Sequence, residues 1–213
     1  MFSLDNTIVE LYRAFHILNE AYFESALPTP IITIGYTKDA LGHFTPWLSW
    51  VDKAHEDDDE KKSYEINVSP QVFAKDSAEI LGVLLHEMIH FYHTVNDIKD
   101  CSNNRHNKKF KKKAEELGFN VEQSQKYGWG HTSLTDTLRQ ELLDLVEPMD
   151  EAFAFYRAEF VEPEKERKPR KKTQFKYTCP LCGLEVKGKK GIEVKCGCSD
   201  SIMEMEDEED DEE

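Results

Sequence analysis

Two imidazoles stand four residues apart in His86-Glu87-Met88-Ile89-His90, with a carboxylate directly after the first. On a helix, residues at this spacing project from one face, about 6 Å apart at Cβ, so both rings can reach one zinc ion at roughly 2.0–2.1 Å. Glu87 then lies beside the ion's open position, where a carboxylate serves as general base toward water and later protonates a leaving amine. The neighbours Ile80, Leu84, Leu85 and Ile89 are apolar and would bury much of such a helix. Histidines and a carboxylate carried into a core demand partners. A metal ion supplies them; hydrogen-bonded structural histidines are the plainer alternative. The chemistry expected is zinc-dependent hydrolysis of a peptide bond, with Glu87 catalytic and His86 and His90 on the metal.

A catalytic zinc takes three protein ligands and keeps one position open. His93 faces the same way as His86, but one straight helix cannot bring three successive turns to a tetrahedral ion, so His93 is expected to support the ligands or to be exposed. The chain must double back. His106 stands near the end of the turn-rich Asp100–Asn107, where the next helical segment opens, which makes it the preferred third ligand. Glu115 or Glu116 would give a two-histidine, one-glutamate site instead, and His131 is a more distant rival.

A second cluster lies near the C-terminus. Cys179-Pro-Leu-Cys182-Gly has the spacing of a zinc knuckle, the glycine permitting a tight turn beneath the thiolates. Cys196-Gly-Cys198 follows, one residue short of the usual second knuckle. So small a segment has too little core to fold without a staple, so a structural zinc on Cys179, Cys182, Cys196 and Cys198 is expected, against a redox pair or free thiols. Two zinc ions follow, one catalytic and one structural.

The elements that must position these groups can be read from periodicity. Ile8, Leu11, Tyr12, Phe15, Leu18 and Tyr22 mark an amphipathic helix over about 5–24, ended before Pro28 and Pro30. Ile31–Tyr36, His43–Val51 and Ser63–Ser69 read as three strands in a meander, the second irregular at Pro46. Asp76 with Glu79 resembles a capping box and opens a helix to about Val95. Lys108–Gly118 is a further helix, residues around Trp129 and His131 are irregular, and Leu134–Val146 is helical. In the C-terminal segment YTCPLC and IEVKC are expected as short strands.

The fold class is therefore α+β: a catalytic domain over 1–160, a basic linker over 161–173, a zinc-binding module over 174–200 and a disordered acidic tail over 201–213. The net charge of −15 is concentrated, since nine of the ten residues from Glu204 to Glu213 are acidic, a composition that stays solvated. No stretch approaches the roughly 18 apolar residues of a membrane span, and the N-terminus lacks the basic head of a secretory signal. A cytoplasmic protein is expected, and clustered cysteines in a reducing compartment suggest metal before disulfides. Lys108, Lys109 and Lys112 beside Phe110, with Lys171 and Lys172 in the linker, are candidates for sequence-independent phosphate contact with DNA; a solvated helix face is the alternative.

The sequence also resembles a known family, the SprT-like zinc metallopeptidases. The likeness rests on LNEAYFESALP, EINVSP, LLHEMIH and RHNKKF, and covers about residues 5–146. Arg105-His106-Asn107-Lys108-Lys109-Phe110 aligns with the family's G-H-x-x-x-F element, with Arg105 where glycine is usual. The resemblance implies a zincin-like domain, His86, His90 and His106 as ligands, Glu87 as base, Phe110 as a packing residue, and a zinc ribbon following. It also implies protein substrates, in some relatives ones crosslinked to DNA. The competing expectation is a nucleic-acid-associated adaptor that keeps the metal sites with little turnover.

Overall fold

The computed structural model describes residues 4–147, 151–154, 156–158 and 173–205. The linker lysines Lys171 and Lys172, and the acidic residues from 206 onward, lie outside the described residues. The chain divides into two compact units, 1–160 and 161–213.

The first unit is α+β. Helix α1 (Asp5–Phe23) buries the stripe Leu11, Ala14, Phe15 and Leu18, which follows from apolar residues recurring at helical spacing. Asn19 fastens the chain beyond the helix: its Nδ2 donates to the Leu27 carbonyl at 2.8 Å and its Oδ1 accepts from the Leu27 amide at 3.2 Å.

Strands β1 (Ile31–Ile34), β2 (Gly42–Val51) and β3 (Lys62–Val68) form one sheet, ordered β1-β3-β2. The sheet is not the expected meander, because β3 enters the centre and runs parallel to β1 while pairing antiparallel with β2. Burial gives the physical reason. Ile66 and Val68 are fully buried and take the central strand, whereas β2 carries the exposed Trp47 and Trp50 and takes the edge. The β2–β3 register shifts between Thr45 and Trp50, around Pro46, which has no N–H to donate to a ladder.

Helix α2 (Ser77–Val95) crosses this sheet. Asp76 caps it by accepting from the Glu79 amide at 3.0 Å, and Arg139 donates to both carboxylate oxygens of Asp76 at 3.0 and 2.8 Å. Leu81, Leu84, Leu85, Met88, Ile89 and Phe91 are fully buried. At about 1.5–3 kcal/mol per buried large apolar side chain, these six anchor the helix whatever else it binds. Phe91 meets Phe44 at 5.0 Å and Tyr64 at 5.1 Å between ring centroids, which joins α2 to β2 and β3.

Beyond α2 the turn-rich stretch is itself a small hairpin, β4 (Cys101–Ser102) and β5 (Arg105–His106), with Asn103 and Asn104 at positive φ in its turn. Helix α3 (Lys108–Glu116) follows, capped by the Asn107 side chain, which accepts from the Lys109 amide at 2.7 Å. The segment expected to be irregular is an antiparallel pair, β6 (Phe119–Ser124) and β7 (Gly128–Leu134), in a sheet ordered β4-β5-β7-β6. Its glycines and polar residues hide the alternation by which a strand is normally read. Helix α4 (Asp136–Leu145) begins after β7 ends, with Thr135 accepting from the Leu138 amide at 3.1 Å.

In the second unit, β8 (Phe175–Thr178) pairs with β9 (Glu185–Gly188) and β10 (Glu204–Met205). The expected IEVKC strand is replaced by β9; the IEVKC segment contributes only a bridge from Lys195 to Ile202. The boundary expected at residue 200 is also displaced. Met203 is buried and β10 pairs with Thr178 and Tyr177, so the ordered unit runs into the start of the expected acidic tail. Two apolar methionines among the acids account for this, since each can cover the unit's small core.

Candidate metal centre

Helix α2 carries His86 and His90, and the β4–β5 hairpin returns His106 against them. One imidazole nitrogen from each of the three lies within 4.8 Å of the others. The outward nitrogens are held. His86 Nδ1 meets Thr132 Oγ1 at 2.9 Å, His90 Nδ1 donates to Asp100 Oδ2 at 2.7 Å, and His106 Nδ1 donates to the Tyr127 carbonyl at 3.2 Å.

These partners fix two tautomers. A carboxylate and a carbonyl only accept, so the protons of neutral His90 and His106 sit on Nδ1. Both Nε2 atoms then carry lone pairs, and they face each other at 3.0 Å. Two acceptors at that separation repel unless a proton or a cation lies between them. Burial and the charges of neighbouring histidines push His86 well below its ordinary value, and burial followed by His90 brings His106 down to about 4. Three imidazoles converging in this way fit a metal of zinc's ligand preferences.

The side of the cluster is closed by Phe110, fully buried, whose ring lies 4.8, 4.7 and 4.5 Å from those of His86, His90 and His106. Strand β7 closes the back. A Cβ on Gly130 would come within 2.4 Å of His106 Nδ1, so His106 lies directly on a bare strand. Gly128, at φ +62°, would place a Cβ 2.4 Å from the His106 carbonyl oxygen. The GWG sequence is thus the seat of the third imidazole, and Thr132 on the same strand braces the first.

Glu87 is buried and directed to β2, with its carboxylate accepting from the Phe44 amide and an Oε1 only 3.1 Å from where a Gly42 Cβ would stand. Burial pushes its carboxyl up to about 7, against the opposing influences of His90 and the Phe44 amide. Asp100 behaves in the opposite way. Burial alone would raise it, but hydrogen bonds from His90 and His93 hold it well below the usual carboxylate range. His93 is 3% exposed and donates to the same Asp100 oxygen at 2.9 Å, so it is a supporting residue and not an exposed one.

The rivals for third ligand are placed elsewhere. Glu115 and Glu116 are exposed and pair with Lys111 at 3.5 Å and Lys112 at 3.8 Å, and His131 is exposed on β7. Sequence reasoning does not single out Asp100, Thr132, Gly128 or Gly130. For Asp100 a partial signal exists, since a metal-bound histidine usually donates its second N–H to a carboxylate, and Asp97 and Asp100 are the two acids between the histidine-bearing segments. For the others there is none, because β7 itself carries no strand pattern.

In the second unit the four Sγ atoms of Cys179, Cys182, Cys196 and Cys198 lie within 4.8 Å of one another, and none forms a disulfide. The Ser201 hydroxyl and the Cys182 and Leu181 amides bring the Cys179 thiol down to about 6, while contacts with the neighbouring thiols hold Cys182 and Cys196 up, so Cys179 is nearest the thiolate a metal requires. Lys108, Lys109 and Lys112 are exposed on α3, whereas Lys111 and Lys113 cover aromatic rings, lying 4.0 Å from the Trp129 centroid and 4.6 Å from that of Tyr92. Among the described residues no helix is long and apolar enough to cross a membrane.

Comparison with known proteins gives one match: the family model described as the SprT-like family matches residues 11–128, a span that holds most of α1, all three histidines, Glu87 and the first residue of β7. No curated protein and no solved structure matches the chain.

Proposed function

The chain belongs to the SprT-like family, and from that premise we propose that it is a zinc-dependent endopeptidase with a zincin-like centre: His86, His90 and His106 hold the metal, and Glu87 is the general base. The observation that carries this reading is the pair of Nε2 atoms facing each other at 3.0 Å beside a third imidazole, with every Nδ1 already engaged. When bound, zinc supplies Lewis-acid polarisation of a carbonyl and lowers the pKa of water to about 7. Glu87 takes the proton from the attacking water and returns it to the leaving amine. Its raised proton affinity suits a group that must both accept and release a proton near neutrality. Strand β2 lies at the sheet edge with Gly42–Phe44 against Glu87, so an extended substrate backbone can pair alongside it and bring its carbonyl to the base.

Four thiols within ligand reach support a structural zinc in a ribbon-like unit, which leaves no open position for water and hence no second catalytic centre. Reduced cysteines and the absence of a membrane-spanning helix among the described residues fit a cytoplasmic setting. The exposed Lys108, Lys109 and Lys112, with Lys171 and Lys172 of the proposed linker at 161–173, suit sequence-independent contact with DNA, so the proposed substrates are DNA-associated proteins. The test is cleavage of an unfolded protein, with and without DNA, by the zinc-loaded chain and its Glu87→Gln variant. Glu87→Gln should keep both metals and lose at least about 10²-fold in rate. A fully loaded wild type that cleaves nothing in either condition would replace the peptidase reading with that of a DNA-associated adaptor.

A further inference from the structure

The residue that does most to join the parts of the centre is not one of its ligands. Asp100 stands at the start of the β4–β5 hairpin and is buried. Its Oδ2 accepts from two imidazoles of α2 at once, His90 Nδ1 at 2.7 Å and His93 Nδ1 at 2.9 Å. Its backbone reaches the other way. The Asp100 carbonyl accepts from the Asn107 amide at 2.8 Å, and Asn107 Nδ2 donates to the adjoining Lys99 carbonyl at 2.9 Å. Asn107 follows His106 directly and caps α3, and Cys101 pairs with His106 across the hairpin. One residue thus fixes His90 through its side chain and the approach of His106 through its main chain.

His93 gives this arrangement its second half. A carboxylate held by His90 alone could rotate about its Cβ–Cγ bond and carry the ring with it. A second N–H on the same oxygen, from a ring one turn further along the same helix, removes that freedom. His93 has no place in the imidazole cluster itself, so its burial and its contact with Asp100 are not explained by metal binding directly.

We infer that Asp100 and His93 form a positioning pair for the metal centre, which presets the His90 tautomer and couples helix α2 to the hairpin that delivers His106. This rests on the reading of His86, His90 and His106 as metal ligands. Neither residue touches substrate, and their effect is exerted through the ligands.

The experiment uses the full chain and cobalt(II) as the probe, because thiolate charge-transfer absorption reports the cysteine cluster while d–d bands without it report the imidazole cluster. Affinity at the imidazole cluster is measured for wild type, Asp100→Asn, Asp100→Glu, His93→Leu and His93→Gln, alongside the thermal midpoint of each metal-free protein. Asp100→Asn should weaken binding about 10- to 100-fold, the range for lost second partners of metal-bound histidines, with Asp100→Glu recovering part of it. His93→Leu should weaken binding by up to about tenfold, and His93→Gln, which keeps an N–H donor, should restore it. The thiolate signal should not move in any variant.

Unchanged cobalt affinity in Asp100→Asn or His93→Leu would overturn the pairing while leaving the metal site intact. So would a fall in the metal-free thermal midpoint with affinity per folded molecule preserved, the mark of a merely structural role. Wild type that takes cobalt only at the thiolates would remove the imidazole site and this inference together.

Discussion

The imidazole cluster and the thiol cluster each gather their ligating atoms within 4.8 Å, but they are assembled by different means. The histidines ride on a helix otherwise sunk in a core through Leu84, Leu85, Met88, Ile89 and Phe91, and each ring is fixed from behind by Thr132, Asp100 or the Tyr127 carbonyl. The cysteines belong to a unit whose buried set is Tyr177, Cys179, Cys196 and Met203, so half of that small core consists of would-be ligands. The first cluster exists because a fold holds it. The second, with the proposed metal bound, would hold its fold. A preorganised site can keep a position open for chemistry without losing its shape, whereas a site that closes its own unit must use all its ligands.

Breaking the second cluster should therefore have the largest structural effect. Cys196→Ser should unfold residues 173–205 while leaving the first unit intact, because a structural zinc in so small a unit is worth about 10 kcal/mol or more. Hydrogen exchange resolved by segment checks this, and protection retained across β8 and β9 would show that the small core suffices alone. Next in size, Phe110→Ala removes a fully buried ring that touches all three imidazoles. It should destabilise the first unit by about 3–5 kcal/mol in urea titration, with no change in the second.

A smaller change should separate site from fold. Gly130→Ala puts a methyl carbon 2.4 Å from His106 Nδ1, on a strand paired with β6 on either side of it, at Gly128 and at His131. The ring must shift, and metal affinity at the imidazoles should fall by about 10- to 100-fold, as when a ligand's support is lost. Metal titration with the thiolate signal as internal control reads it, and wild-type affinity would mean that β7 is not the seat of His106.

The same contrast explains what is legible in the sequence. Helices α1 to α4 can be read, because Leu11, Phe15 and Leu18, or Leu84, Met88 and Phe91, recur at a spacing that only a helix aligns. His86, Glu87 and His90 stand out as a local pattern within one such helix. Pairing is less visible. Nothing in IITI or EINV says that the third strand inserts beside the first, since that is decided by which strand buries best. Strand β7 is hidden because Gly128 and Gly130, needed for close approach to His106, carry no side chain to show alternation, and Thr132 is hidden with it. In the second unit the cysteines are visible from their spacing, but the extent of the unit is not, because Met203 and Met205 sit among acids that suggest solvent.

Protons give the finest distinction. In the metal-free first unit, burial holds His86 well below its ordinary value and His106 at about 4. Between those values and the unfolded value of about 6.5, the unfolded chain binds more protons than the folded one, so these residues make stability rise with pH and fall as acid is added. Glu87 has the opposite sign. Burial places it at about 7, so from the ordinary carboxylate range up to neutrality the folded state binds more protons, and its contribution is lost as pH rises. Two histidines oppose one glutamate, which predicts a modest gain of stability from about pH 4.5 to 6.5, each tenfold difference in proton affinity between folded and unfolded states being worth at most about 1.4 kcal/mol. Glu87→Gln removes the opposing group and should steepen that gain, read as urea midpoints of the metal-free first unit across the window. Parallel profiles for the two proteins would mean that Glu87 reaches solvent, and with it that the centre is open from the β2 side before any substrate arrives.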